Sequence, residues 1–219
     1  MKTRDMVFIM KSEPKAVPGI PAARRDEFGK RLKELRIQRN LRLSDVAALT
    51  GLAVSTISKV ERNQMALTYD RLQQLAGGLG VDFAALFQSG GDTYHRGLIA
   101  LAETGKFRRQ ETAQYNYEYL FTDVWGKAMV PITGTVKSHS PSDFAGFNSH
   151  VGEEFVHVIS GEITIYFDGA PPATVREGES IYFDSSRGHN YTSSSKEDAR
   201  ILVVCTPPPS QPRRGQSAS

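Results

Sequence analysis

The stretch "SDVAALTGLAVSTISKVERN", residues 44–63, decides the fold of the first third of the chain. Two short helical blocks flank Gly51, and glycine reaches a left-handed turn conformation at little cost. Helices joined by so short a turn cross closely, which calls for a small residue at the crossing. Ala47 supplies it. Val46, Leu52, Ile57 and Val60 are the apolar positions. Ile57 and Val60, three apart, define the inward stripe of the second helix. Ser55, Thr56, Ser58, Lys59 and Arg62 are left facing outward.

Helical periodicity continues on both sides. Upstream, "RRDEFGKRLKELRIQRN" (24–40) places Phe28, Leu32, Leu35 and Arg39 near one face. Downstream, "TYDRLQQLAGGLG" (68–80) and "DFAALF" (82–87) read as two further helices. Residues 1–24, with Pro14, Pro18 and Pro21 and no apolar period, are expected to be a disordered basic arm. Residues 1–95 carry 15 Lys and Arg against 10 Asp and Glu, whereas 96–206 carry 10 against 14. A basic front and an acidic back point to a polyanionic partner for the front alone.

The block 28–87 resembles the five-helix helix-turn-helix domain of the phage-repressor-like (XRE) transcription regulators. It shares the small residue, the turn glycine, the buried Ile57 and the run "STISKVERN". The resemblance implies a third helix, about 54–62, that lies in the major groove of double-stranded DNA. Val54, Ser55 and Thr56 at its start are the expected base readers, with Ser58 and Lys59 one turn on. Lys59 and Arg62, together with Arg42 and Ser44 at the start of the preceding helix, are expected to hold phosphates. Where the family often has Ser or Thr and then Gln, this chain has Ala53 and Val54, so a usual cap and a usual hydrogen-bonding reader are missing. Val54 instead offers apolar contact with a thymine methyl. Asn63 stands where glycine is frequent and tolerates the same left-handed conformation.

After "QSGGDTYH" (88–95), expected to be a linker, the period changes to two. "AQYNYEYLF", "KAMVPITGTV", "EEFVHVISGEITIYF", "ESIYFD" and "RILVVC" read as strands of a closed or sandwich-like β domain. The expected architecture is therefore α + β in two domains, helices over 25–87 and a β barrel over 96–206. Residues 207–219 are expected to be a disordered tail. The lone Cys205 excludes an intrachain disulfide and reads as a small buried hydrophobe. With no apolar run near the roughly 20 residues needed to span a bilayer, a cytoplasmic protein is expected.

In "GFNSHVGEEFVHVISG" (146–161), Asn148, His150 and Glu154 share parity, so on a strand they face one way and His157 the other. His95 and His139 have no spacing partner and read as surface residues.

The spacing Asn148-x-His150-x3-Glu154-x6-Gly161 resembles the first motif of the cupin superfamily, with asparagine in place of its first histidine. Gly178 and His189 in "GESIYFDSSRGHNYTS" keep the spacing of the second. Cupins with the full set bind a divalent metal such as zinc, iron, manganese or nickel. This chain keeps two imidazoles and a carboxylate, His150, Glu154 and His189, with Asn148 as a weaker oxygen donor. Two readings stay open from sequence: a metal site, or a metal-free pocket in which the same residues hydrogen-bond a small molecule. Tyr182 and Tyr191 flank the second motif and are expected either to line that pocket or to pack in the core.

Taken together the motifs resemble the XRE–cupin regulators. The resemblance implies a homodimer on a pseudo-palindromic operator, controlling metabolic genes, most simply as a repressor released by a small-molecule effector. The alternative is a dioxygenase-like enzyme using the two-histidine, one-carboxylate set. Against it stand the fused DNA reader and the missing histidine.

Overall fold

The computed structural model describes residues 26–105 and 107–206. The arm expected over 1–24 and the tail expected over 207–219 lie outside them.

Four helices come first: α1 (Asp26–Gln38), α2 (Leu43–Thr50), α3 (Val54–Glu61) and α4 (Tyr69–Leu79). Phe28, Leu32 and Leu35 of α1 pack against Val46, Leu52, Ile57, Val60 and Leu72, all buried. Arg39 is exposed and takes no part in that face. Gly51 sits at φ +71° between α2 and α3, whose axes meet at a bend of 116°. The left-handed turn at Asn63 (φ +56°) ends α3, and the Asn63 Oδ1 accepts a hydrogen bond from the Gly29 N–H at 2.9 Å. That donor lies near the start of α1, where helix N–H groups lack intrahelical partners.

The closest helix approaches use glycines that the sequence reading passed over. A Cβ on Gly29 would stand 2.4 Å from the Val60 carbonyl oxygen, and one on Gly78 would stand 2.8 Å from that of Leu49. Arg36 of α1 clamps Glu61 of α3 through two bonds of 2.6 and 2.9 Å. That hydrogen-bonded carboxylate raises the pKa of the guanidinium against the effect of burial.

The fifth helix is only a 3-10 turn, Phe83–Leu86. Asp82 caps it by accepting from Ala84 N at 2.8 Å, and the bonds Ala85 N→Asp82 O and Phe87 N→Ala84 O span three residues rather than four. Four residues between that cap and the end are too few for an α-helix to propagate.

The rest is β structure. Its strands are β1 (Asp92–Thr93), β2 (Arg108–Glu111), β3 (Tyr115–Tyr119), β4 (Val124–Trp125), β5 (Val130–Val136), β6 (Glu153–Ser160), β7 (Glu162–Phe167), β8 (Ala170–Arg176), β9 (Ser180–Asp184), β10 (His189–Ser193) and β11 (Ala199–Cys205). A six-stranded sheet in the order β2-β3-β5-β11-β6-β9 faces a three-stranded sheet in the order β10-β7-β8. Ile132, Val136, Val156, Val158, Ile163, Ile165 and Ile201 form the core of this half, all buried.

The segment expected as a linker is held to the β domain. Asp92 and Thr93 pair with Val124 and Trp125, and the Asp82 Oδ2 accepts from Gly126 N at 2.8 Å. An aromatic cluster joins the two halves more firmly. Tyr69 of α4 and Phe83 and Phe87 of the 3-10 turn surround the fully buried Tyr119 of β3, at ring separations of 6.5, 5.6 and 5.1 Å.

Candidate functional site

Two surfaces carry the chemistry. On the helical half, Val54, Ser55, Lys59 and Arg62 of α3 and its C-cap are exposed, and Thr56 and Ser58 are partly so. Arg42 and Ser44 are exposed beside them at the start of α2. Arg62 is held in place by hydrogen bonds to Ser58 Oγ (2.5 Å) and Gln64 Oε1 (3.1 Å). Asp45 accepts from Arg42 N at 2.7 Å and so caps α2. Ala53 offers α3 no side-chain cap.

Inside the barrel, His150, Glu154 and His189 converge. The Glu154 Oε2 lies 2.8 Å from His150 Nε2 and 3.5 Å from His189 Nε2, and Tyr191 donates its hydroxyl to Oε1. Glu154 is on β6, while His189 and Tyr191 are on β10 of the facing sheet. His150 is not on a strand. The left-handed Gly152 (φ +118°) turns it into the barrel, where a Cβ on that glycine would meet the Thr206 oxygen at 2.5 Å. Strand parity thus applies to Glu154 and His157 but not to His150. His157 faces away, bonded to Ser180 Oγ at 2.9 Å.

Burial alone would raise the pKa of Glu154. Hydrogen bonds and charge from His150 and His189 outweigh it and hold the carboxyl at about 2. Burial pulls the His189 imidazole down, and Glu154 more than offsets it, so its pKa is raised. The His189 Nδ1 donates to the Arg187 carbonyl at 2.8 Å, which leaves Nε2 directed inward. Among the described residues, nothing partners the buried His150 Nδ1.

These donors suit a divalent metal. Around one ion at about 2.0–2.2 Å, ligand atoms stand roughly 3–3.5 Å apart, close to the spacings seen between Glu154 and the two imidazoles. Asn148 borders the same cavity, but its amide donates to Asn190 Oδ1 at 2.8 Å, and its backbone pairs with that of His189. Cys205 is a surprise. Its sulfur lies with the His150 and Glu154 ligand atoms inside a 4.8 Å group. Register explains why, since Cys205 pairs directly with Glu154 across β11 and β6. Burial pushes its thiol well above the ordinary value, which opposes the thiolate that metal binding requires.

Tyr191 lines the cavity, as expected. Tyr182 does not: it is 62 % exposed on the outer face, opposite Phe155, because the neighbouring Phe183 takes the inward parity. The other walls are Tyr115 and Tyr117 of β3, apolar residues of β5 and β11, and, from the helical half, Tyr69 and Asp70 of α4. The Tyr69 ring meets the His150 ring edge-on at 4.8 Å. The enclosed space is about 50 Å³. A bound water takes roughly 10–15 Å³ on that measure, so a small ligand fits.

A helix-turn-helix with its reading helix bare, fused to a barrel with an inward polar cluster, defines a DNA-binding transcriptional regulator with a cupin domain. The helix-turn-helix family pattern matches residues 32–86 and the cupin domain pattern residues 139–205. The transcriptional regulator PuuR of Escherichia coli is 25 % identical over 184 residues, covering 82 % of this chain and 94 % of that one. The (S)-2-hydroxypropylphosphonic acid epoxidase of Streptomyces wedmorensis is 27 % identical over 186 residues, covering 81 % and 93 %. A solved helix-turn-helix family regulator from Vibrio cholerae shares the fold, with a TM-score of 0.56, 22 % identity and coverage of 85 % and 98 %. The chain thus carries both domains of the XRE–cupin regulators, the helix-turn-helix and the cupin.

Proposed function

We propose that this protein acts in the cytoplasm as a homodimeric repressor of metabolic genes, released from a pseudo-palindromic operator by a small molecule bound in the barrel. One observation carries the coupling. Tyr69 and Asp70 of the DNA-binding half form part of the cupin cavity wall, so whatever fills the cavity touches the reading head's own helix. A ligand shifts the head only if it binds one arrangement of the two halves better than another.

In this reading Val54, Ser55 and Thr56 meet base edges. Lys59, Arg62, Arg42 and Ser44 hold phosphates, and Ser58 steadies Arg62. Among the described residues no single helix is long and apolar enough to cross a membrane. His150, Glu154 and His189 would hold a divalent metal, with Asn148 beside them. Such an ion supplies open coordination positions for a ligand's oxygen or nitrogen. Tyr191 anchors the Glu154 carboxylate, and His189 is oriented by the Arg187 carbonyl.

Genome-wide mapping of bound sites is the test. Enrichment at two-fold-symmetric sequences with half-sites about 34 Å apart supports the proposal, and uniform occupancy sinks it. The second reading, an enzyme, is favoured by the same His–Glu–His cluster and by the epoxidase relative. Oxygen uptake by Fe(II)-loaded protein decides it. Uptake coupled to turnover of an added substrate would establish catalysis, while uptake at the buffer rate is expected.

A further inference from the structure

His150, Glu154 and His189 give a four-coordinate ion three protein ligands and leave one position open. Cys205 is the strong donor placed to fill it. It ends β11, whose other inward residues, Ala199, Ile201 and Val203, are apolar. The β11–β6 register sets it directly opposite Glu154, and its Sγ lies within 4.8 Å of the ligand atoms of both His150 and Glu154. Around one zinc ion, with bonds of about 2.3 Å to sulfur and 2.0–2.1 Å to nitrogen, such atoms stand roughly 3.5 Å apart. Small side-chain rotations within a rotamer well close that difference. His150 points to a ligand independently: it is buried, and among the described residues its Nδ1 has no partner.

Charge argues the same way. Glu154 and the Tyr69 hydroxyl both reach the Cys205 thiol, and burial beside the carboxylate keeps it protonated while no cation is present. A divalent ion reverses that sign, because it attracts both anions and displaces the thiol proton. Glu154 and a Cys205 thiolate together carry the two negative charges that neutralise one such ion. The buried site then closes without net charge, which low-dielectric surroundings favour. The competing donor, Asn148, has its amide nitrogen committed to Asn190, and its amide oxygen is uncharged.

We propose, resting on the metal reading of this cavity, that Cys205 is a thiolate ligand of the ion, completing a His150–Glu154–His189–Cys205 set that selects zinc over manganese. Thiolate favours softer cations, whereas a purely nitrogen and oxygen set leaves manganese competitive. A small molecule then reaches the ion through a fifth position, which zinc can open.

Cobalt(II) titration of the full-length, tag-free protein under argon tests this. Cys205 is the chain's single cysteine, so a thiolate-to-cobalt charge-transfer band in the near ultraviolet belongs to it. That band is expected to grow until the site fills and to vanish when zinc displaces cobalt. Cys205→Ser should retain cobalt without the band. Its zinc affinity should fall by about tenfold or more while its manganese affinity changes little, so the preference between the two ions narrows. Cobalt bound by the unmodified protein without the band, or zinc held by Cys205→Ser as tightly as by the parent, would overturn the Cys205 assignment and leave the His–Glu–His site standing. No cobalt retained at all would overturn the metal reading and this assignment with it. The band needs no variant, so it remains a readout even where Cys205→Ser fails to fold.

Discussion

In the helical half, Leu32, Val46, Ile57, Val60 and Leu72 close a dry core, each no more than 1 % exposed, while Ser55, Lys59 and Arg62 face out. In the barrel half the arrangement is reversed along part of the interior. His150, Glu154, His189, Asn190 and Thr192 are buried, and side chains such as Phe155 and Tyr182 are on the outer face. A DNA reader works through its exterior, so its inside needs only to be rigid. A sensor works through its interior, and there polar groups must be satisfied one by one. Tyr69 and Asp70 belong to the first half by sequence and to the second by position.

The largest effects should come from the two cores. Ile57→Ala in the head and Ile163→Ala in the barrel each remove a fully buried side chain, with an expected cost of about 2–5 kcal/mol. The aromatic cluster around Tyr119 ties the halves together, so both variants should lower one shared thermal transition. Calorimetry showing two transitions, each moved by only one variant, would break the idea of a single unit. Next in size is Lys59→Ala, an exterior change. It should weaken operator binding by about tenfold and reduce the slope of log affinity against log salt by roughly one, with little change in stability. An unchanged salt slope would remove Lys59 from the phosphate contacts.

For the barrel interior, pH separates the partners. The folded pKa of His189 is raised, so its contribution to stability is present below its ordinary value and fades as pH rises through the raised one. Glu154 is depressed to about 2, so its contribution is present above the ordinary carboxyl range and is lost as pH falls toward that value. A metal must displace the His189 proton. Zinc affinity, measured by chelator competition, should therefore climb by about a further tenfold per pH unit until His189 has titrated, and less steeply beyond. A profile without that break would take His189 out of the ligand set. His189→Ala should abolish zinc retention after dialysis.

Much of this was legible in the sequence, for reasons that differ between the halves. Helical spacing and Gly51 located α2 and α3 because a left-handed turn and an apolar stripe leave local marks. Gly29 and Gly78 escaped notice because their need arises only across space, where Val60 and Leu49 approach. Among strands, β2 reads "RRQE" and β8 reads "APPATVR" with two prolines, and neither alternates clearly. Both are edge strands, where unpaired backbone makes proline and charge tolerable. β10 reads "HNYTS", polar yet wholly buried, because it carries the site. Motif spacing found His150, Glu154 and His189. Cys205 needed the β6–β11 register, and Asp70 needed the docking of one half on the other, which no local pattern records.

The smallest expected effect tests the most local of these inferences. Tyr182 and Tyr191 flank the same motif, and sequence treats them alike, yet β9 turns one out and β10 turns the other in. Tyr191→Phe removes the hydroxyl that Glu154 accepts and leaves a buried carboxylate oxygen short of a partner, an expected loss of about 1–3 kcal/mol. Tyr182→Phe removes a hydroxyl from a residue on the exposed outer face, and ligand or zinc affinity should stay within about twofold of the parent. Titrations of both variants beside the parent measure the contrast. Equal losses would mean that the outer face of β9 reaches the site after all, through a second copy of the chain or a rearranged strand, and the inside–outside division drawn for this barrel would fall with it.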